Sequence, residues 1–432
     1  MSARIPDHSQ GVIEPAIFAN GVEWERKMPL EPAIRPRIVS ISIEYPNPFE
    51  PGLGLFVRSR LQELGKMADL KVISPVALLN YSNPRHKVLP PDMVPHTTRD
   101  QNLDVIHPRW IYPPFGTPLN VASLLSAVLP HLRRLKKTFG FQIIDSHFGY
   151  PDGVTAACAA ALMRVPFLMT LRGNEPRWAE SPARRRCLEW ALRRAARVIV
   201  LSSELAGFAA SLGAAPSRIV KIGNGIDPHL FYPRDRKECR ARHQIPAGRK
   251  VLFTAGALIE AKGHHRLILA LRQLLSDGFD AELVIAGSAT RAGASCEGML
   301  RSLAADLGVT SRVRLVGWVP PQELPSWISA ADVFCLLSDS EGWPNVVHEA
   351  LGCGTPVVAS QVGAIPDMIP SQQYGILVPA QDGAALHLAL RRALEKAWDR
   401  DAIAAWGQFR SWTQVAREVI AEVHQVLSAC AA

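Results

Sequence analysis

The sequence predicts an α/β protein built from two successive doubly wound, Rossmann-like domains that face each other across a cleft. Three observations carry that prediction. Short β-branched runs alternate with helix-period segments along most of the chain, the alternation pauses near the middle, and 432 residues exceed what one core usually organises. Hydrophobic residues make up 48% and charged residues 20%, the balance of a globular chain rather than a disordered one.

Residues 1 to 36 are polar, with scattered prolines and no signal-peptide order, and read as a tail. The first domain is expected over residues 37 to 232. It opens with the run at 37 to 43, a Pro/Gly-rich loop, and a helical pattern at Val57, Leu61 and Leu64. Further strand runs fall at 70–74, 141–145, 165–171, 197–202 and 219–223. Asn224-Gly225-Ile226-Asp227-Pro228 is turn-rich, and the charged stretch after it, 233 to 242, has the composition of a linker. The second domain is expected over 233 to 405, with strand runs at 250–255, 282–286, 313–316, 332–337, 356–359 and 375–379. A last segment, 406 to 432, places Trp406, Phe409, Trp412, Val415, Val419, Val423 and Val426 as one amphipathic helix.

No apolar run reaches the roughly 18 residues of a membrane span; the longest, 153 to 171, is broken by Arg164 and Pro166. The seven cysteines stand singly with no zinc spacing, which fits reduced thiols in a cytoplasmic protein. The net charge of +9 includes two basic clusters, Arg133, Arg134, Lys136, Lys137 and Arg184, Arg185, Arg186, Arg193, Arg194. With Trp110, Ile111, Tyr112 and Phe115 nearby, they fit either an anionic membrane surface or a solvated helix face. Nucleic acid is not expected as a partner.

Two loops of the second domain carry the chemistry. Gly256 to Gly263 leaves a strand for a helix, placing Lys262 at a helix entrance where free N–H groups favour an anion. Ser340 to Gly352 contains Glu341-Gly342-Trp343-Pro344-Asn345-Val346 and, further on, His348-Glu349. Pro344 fits a first helical position, Val346, Val347, Ala350 and Leu351 a buried face, and Asn345, His348, Glu349 and Gly352 the opposite face. A diphosphate at that amino end would leave Glu341 and Glu349 to grip the two extremities of one elongated ligand. Taken singly, each glutamate is equally well explained as a dipole-stabilising or solvated residue.

The spacing Glu341-x7-Glu349, with Ala331 to Ser338 before it and Gly354 to Ser360 after it, resembles family 4 of the retaining glycosyltransferases, of the GT-B fold. The resemblance extends over nearly the whole chain after the tail. It implies that Glu341 lies near the donor sugar, that Glu349 holds the ribose, that Lys262 contacts the diphosphate, and that Trp318 and Val319 lie on the base side. Gly256, Gly342, Trp343, Asn345 and Val346 complete the implied donor site, and Gly52 and Gly54 face the cleft toward the acceptor. The Gly52-x-Gly54 loop is not a dinucleotide fingerprint, because Val57 stands where its third glycine belongs.

Two positions depart from the family pattern. Ala257 follows Gly256 where an arginine is common, and Arg172-Gly173 replaces a His-Gly step. The Arg-Gly version, with Asp145-Ser146-His147 and Tyr150-Pro151-Asp152-Gly153, resembles the polysaccharide and teichuronic acid subgroup. It makes Arg172 a candidate for the missing positive charge or for acceptor contact, and His147 a cleft candidate. The implied co-substrate is a nucleotide diphosphate sugar and the implied acceptor a glycan or lipid-linked glycan. No cofactor is expected, nor a metal, on the ground that no metal-holding Asp-x-Asp pair was found. An epimerase acting without acceptor and a non-catalytic nucleotide-sugar binder share this architecture and stay as alternatives.

Overall fold

A computed structural model describes residues 35–80, 93–112, 117–290 and 295–431. Residues 1–34 of the polar tail and Phe115 therefore lie outside the described residues. Residues 36 to 432 form one compact unit containing both large sheets.

The first sheet draws on Arg37–Ile41 (β1), Asp69–Ile73 (β2), Thr97–Asp100, Leu103–Ile106, Ile143–His147, Phe167–Leu171, Arg197–Val200 and Ile219–Lys221. Val76–Asn80 (β3) and Arg109–Tyr112 (β6) pair separately as a small two-stranded parallel sheet. With Thr97–Asp100 as β4, Leu103–Ile106 as β5 and the later four as β7 to β10, the large sheet runs β10-β9-β8-β7-β1-β2-β5-β4. Every pairing is parallel except β4 with β5. The second sheet runs β13-β12-β11-β14-β15-β16 and is parallel throughout, from Lys250–Ala255 (β11), Ala281–Ala286 (β12), Val313–Gly317 (β13), Val333–Leu336 (β14), Val357–Ser360 (β15) and Gly375–Val378 (β16). Strands buried on both faces need near-continuous apolar sequence, and Val251, Leu252 and Phe253 of β11 show it: all are buried.

In each sheet the strand order reverses beside the first strand, between β1 and β7 and between β11 and β14. Such switch points open a crevice beyond the carboxyl ends of the strands, where ligands of this architecture bind. The loop leaving β1 carries Gly52 and Gly54, the one leaving β11 carries Lys262, and the one leaving β14 carries Glu341.

Helix Leu55–Met67 (α1) buries Val57, Leu61 and Leu64, the expected stripe. The stretch expected as linker is a helix, Arg236–Arg242 (α2), capped by Asp235, which accepts from the Glu238 N–H at 2.8 Å. It holds because Cys239 is buried in the second domain's core and Arg240 donates to the Ala330 carbonyl at 3.2 Å. His264–Ser276 (α3) and Asn345–Gly352 (α4) follow the two candidate loops. The last segment is two helices rather than one: Arg400–Gln408 (α5), which contains Trp406, and Trp412–Ala431 (α6). Between them the chain crosses back, and Val415, Val419, Val423 and Val426 pack with Val57, Leu61 and Leu64 of the first domain.

Among the described residues no helix is long and apolar enough to cross a membrane. Trp110 is buried in the first core, so the basic clusters lack that aromatic neighbour at the surface.

Candidate active site

The switch point of the second sheet joins two loops by backbone contact. Gly263 has φ 70°, and a Cβ there would stand 2.1 Å from the Leu337 carbonyl oxygen, so only glycine lets the loop after β11 lie on the one after β14. Lys262, one residue earlier, thereby reaches Glu341: its Nζ donates to Oε1 at 2.5 Å, and the Ser338 hydroxyl donates to the same oxygen at 2.6 Å. Two side chains expected at different parts of a donor are partners in this structure. The Gly256 backbone lies beside the Lys262 stem, with Cγ and Cδ 3.9 Å from where a Cβ would be.

Helix α4 begins at Asn345, with Pro344 one position before it at the cap. Pro344 has no N–H and the Val347 N–H donates back to the Pro344 carbonyl at 3.0 Å, so the Asn345 and Val346 amides are the ones this helix start leaves without intrahelical partners. The expected split of its faces holds only in part. Val347, Ala350 and Leu351 are buried and Val346 is half-buried, but His348 is buried too, because α5 covers that side. The His348 Nε2–H donates to the Gly407 carbonyl at 2.9 Å, and the Gln408 amide donates to the Gly352 carbonyl at 3.1 Å. Glu349 is half-buried, and burial raises its carboxyl to about 7.

The remaining donor candidates are dispersed. Trp343 packs between both domains' cores with its ring against Gly223; a Cβ on Gly223 would stand 2.2 Å from Trp343 Cη2. Trp318, after β13, is 66% exposed, and Val319 is half-buried against the second core.

From the first domain, Arg172 and Gly173 come directly over Gly342. Gly173 has φ 116°, a Cβ on it would be 2.3 Å from Gly342 Cα, and one on Gly342 would be 2.1 Å from the Arg172 carbonyl oxygen. Glu175 holds the loop in this path, accepting from the backbone N–H groups of Gly149, Arg172 and Gly173 at 2.8 to 3.1 Å. The Arg172 guanidinium donates to Asn224 Oδ1 at 3.1 Å and to His147 Nδ1 at 2.6 Å, and lies 4.9 Å from the Phe56 ring centre. Burial, then the neighbouring Arg60, lower it to about 9, still protonated at neutral pH. Asn224 in turn donates to Asn345 Oδ1 at 3.1 Å, joining the first domain to the start of α4. Asn224 belongs to a turn motif, and nothing in that motif marked it as a bridge.

His147, expected at the cleft surface, is fully buried. Burial lowers its imidazole to about 3 despite Asp145 beside it. Gly52 is exposed with open space around it, whereas Gly54 is the left-handed cap of α1, where a Cβ would stand 2.3 Å from the Glu44 carbonyl oxygen. The chain does contain one Asp-x-Asp step, Asp399-Arg400-Asp401, contrary to expectation. Asp399 there caps α5, accepting from the Ala402 N–H at 2.9 Å, which accounts for it as a helix start.

Residues 235–408 match the family model described as glycosyl transferases group 1, and residues 90–230 match glycosyltransferase family 4. TuaC of Bacillus subtilis (strain 168), itself assigned by inference as a teichuronic acid biosynthesis glycosyltransferase, is 26% identical over 84% of this chain and 90% of its own length. D-inositol 3-phosphate glycosyltransferase 1 of Catenulispora acidiphila is 35% identical, over 42% of this chain and 45% of its own. Sucrose-phosphate synthase from Thermosynechococcus elongatus superposes with a TM-score of 0.71 at 20% identity, covering 91% of this chain and all (100%) of that one. The Anabaena protein Alr3699/HepE in complex with UDP and glucose does so with a TM-score of 0.69 at 19% identity, covering 90% and 100%. With two Rossmann-like parallel sheets and the Glu-x7-Glu segment following β14 at the switch point of the second, this chain belongs to the family 4 type of glycosyltransferases, of the GT-B fold.

Proposed function

We propose that this enzyme transfers a sugar from a nucleoside diphosphate sugar to a hydroxyl of a glycan or lipid-linked glycan, with retention of configuration and without a metal, in polysaccharide biosynthesis. The observation that supports it most is the meeting of Lys262 and Glu341 at the amino end of α4, with Arg172 brought in from the facing domain. As the bond from the anomeric carbon to the diphosphate breaks, negative charge grows on the departing oxygen. Fixed positive groups lower such a barrier most, and Lys262, the α4 amides and Arg172 are of that kind. In this reading Lys262 leaves Glu341 for the phosphates when the donor arrives. The acceptor oxygen bonds to the anomeric carbon on the face the phosphate leaves, and the acceptor proton passes to the departing phosphate.

The teichuronic acid relative and the UDP complex of the Anabaena neighbour favour this donor and acceptor class. A cytoplasmic site at an anionic membrane face is the setting we infer, from the exposed Arg133, Arg134, Lys137, Arg185, Arg186, Arg193 and Arg194. Flotation with phosphatidylglycerol vesicles checks that part; a protein that stays at the bottom removes it.

The function is tested by a thermal-shift panel of UDP-, GDP-, ADP- and dTDP-sugars, since a ligand that binds only the native state raises its melting point. The best binder is then incubated with lipid-linked glycan acceptors, and the product's anomeric configuration is read by NMR. Transfer with an inverted centre, or acceptor-free isomerisation of the donor sugar, overturns the reading.

A further inference from the structure

Behind Arg172 lies a chain of buried polar side chains. Arg60, on α1, donates to Asp145 Oδ1 at 2.9 Å and to the Thr170 hydroxyl at 2.8 Å, and the Ser40 hydroxyl donates to Asp145 Oδ2 at 3.3 Å. Burial alone would raise the Asp145 carboxyl, but the Arg60 charge and His147 outweigh it and hold it well below the usual range. His147 follows two residues on along the same strand, which turns both side chains to one face of the sheet. Its Nε2 lies 3.2 Å from Asp145 Oδ2, poorly aligned for a full hydrogen bond. Its Nδ1 is the atom that faces Arg172, at 2.6 Å.

A guanidinium has only donors, so Nδ1 must accept and the ring proton must sit on Nε2, toward Asp145. An unpaired buried donor is costly, and a long arginine has many rotamers to lose. Arg172 therefore holds one geometry because three things fix it: the Nδ1 acceptor, Asn224 Oδ1 and the Phe56 face.

We propose that His147 is a positioning residue, which through Nδ1 holds the Arg172 guanidinium in the place from which it acts on the donor. This rests on the reading that Arg172 takes part in transfer. Asp145 and Arg60 serve the same end one bond further back, by setting the tautomer of the ring.

The two amides separate the two ring nitrogens. An asparagine amide ends near the reach of Nδ1 and a glutamine amide near that of Nε2, so His147→Asn keeps an acceptor for Arg172 and His147→Gln moves it toward Asp145. The measurement is release of nucleoside diphosphate from the best binder of the panel (UDP-glucose as the starting probe), together with melting temperature. His147→Asn is expected to keep kcat within about threefold, and His147→Gln to lose about tenfold in kcat with donor KM within about twofold. In the Arg172→Ala background the His147→Gln change should cost less than about twofold more, because a residue acting only through Arg172 has nothing left to act on.

Several results overturn the proposal. These are His147→Gln equal to His147→Asn in kcat, its full loss repeated without Arg172, or its melting well below His147→Asn, the mark of a merely structural role. If Arg172→Ala turns over like the wild type, the part given to Arg172 in the proposed function fails and takes this inference with it. An impaired Arg172→Ala beside an unaffected His147→Gln overturns this inference alone.

Discussion

Lys262 and Glu341 are held together at 2.5 Å, so each gives the other a partner that a bound donor would have to replace. Removing either has a different cost. Lys262→Ala removes a positive charge that acts on the growing phosphate charge, and a loss of about 100-fold in kcat is expected, the scale seen for one electrostatic donor. Glu341→Ala frees Lys262 for the phosphates but removes the sugar contact, so turnover falls while nucleotide affinity holds or rises. Circular dichroism and nucleotide titration on both variants check this; wild-type turnover in either refutes its assignment. Glu349 makes a pH prediction. Burial raises its carboxyl from 4.5 to about 7, so it ionises across neutrality, and a ribose hydroxyl pair donates best to the ionised form. Affinity for a nucleotide sugar should therefore rise from pH 6 to pH 8, and Glu349→Gln should bind weakly and without that slope. Folding runs the opposite way: below 4.5 the carboxyl is neutral in both states, and above it the unfolded chain ionises more readily, so stability is lost as pH rises toward 7. Glu349→Gln should accordingly melt higher than the wild type at pH 8 and equally at pH 4.

At the scale of elements, the site depends on how α4 is seated. Gly407 of α5 lies so close that a Cβ would stand 2.3 Å from the Gly352 nitrogen, and the neighbouring contact is the His348 bond to the Gly407 carbonyl. Gly407→Ala should therefore cost about 1–3 kcal/mol of stability, the usual penalty of overpacking, and shift α4 enough to weaken nucleotide binding. Thermal melting with and without nucleotide reads both effects. Much of this architecture was legible beforehand. Most strand runs of the two large sheets are legible because strands of a parallel sheet are apolar on both faces, and Lys250–Ala255 agrees residue for residue. β4 and β5 escape, β4 because its residues are exposed or half-buried along its length and β5 because only alternate residues are buried, and so does the separate pair β3 and β6. Lys262 and Glu341 could be nominated from their loops, but their pairing across 79 positions depends on Gly263 lying against Leu337. His348 was misplaced for a related reason: a helix's hidden face is readable from its period, whereas a second cover supplied by a later helix is not.

The whole molecule is held in its present arrangement by two chain crossings and one side-chain latch. At the crossings, Ile226 and Trp412 exchange backbone bonds with the opposite strand: the Ile226 N–H donates to the Arg410 carbonyl at 3.1 Å, and the Trp412 N–H to the Ile226 carbonyl at 3.2 Å. Arg410 spans both, donating to the Gly223 carbonyl at 3.1 Å and to Glu418 at 2.9 Å. These covalent and backbone ties would remain if the two domains parted, which makes them the expected hinge. The latch is elsewhere. Asp367, in the second domain, accepts from the Ser203 N–H, the Ser203 hydroxyl and Lys221 Nζ of the first domain, each at 2.9 Å. The loop carrying Asp367 also passes Gly363 over Glu341, where a Cβ would stand 1.9 Å from the Glu341 carbonyl oxygen. A shift of this segment would therefore disturb the Asp367 bonds and the Glu341 backbone contact together. Asp367→Ala leaves the cores and hinge intact and removes the charge-assisted bonds, so the open form gains population. Because apparent affinity falls with the fraction of binding-competent molecules, donor KM should rise by up to about tenfold, with kcat at saturation changed less. Small-angle scattering should show a larger radius of gyration for the free variant and recovery of the compact value at saturating nucleotide. A variant as compact as the wild type with unchanged KM would mean that the hinge and the Gly173–Gly342 contact hold the domains closed without it.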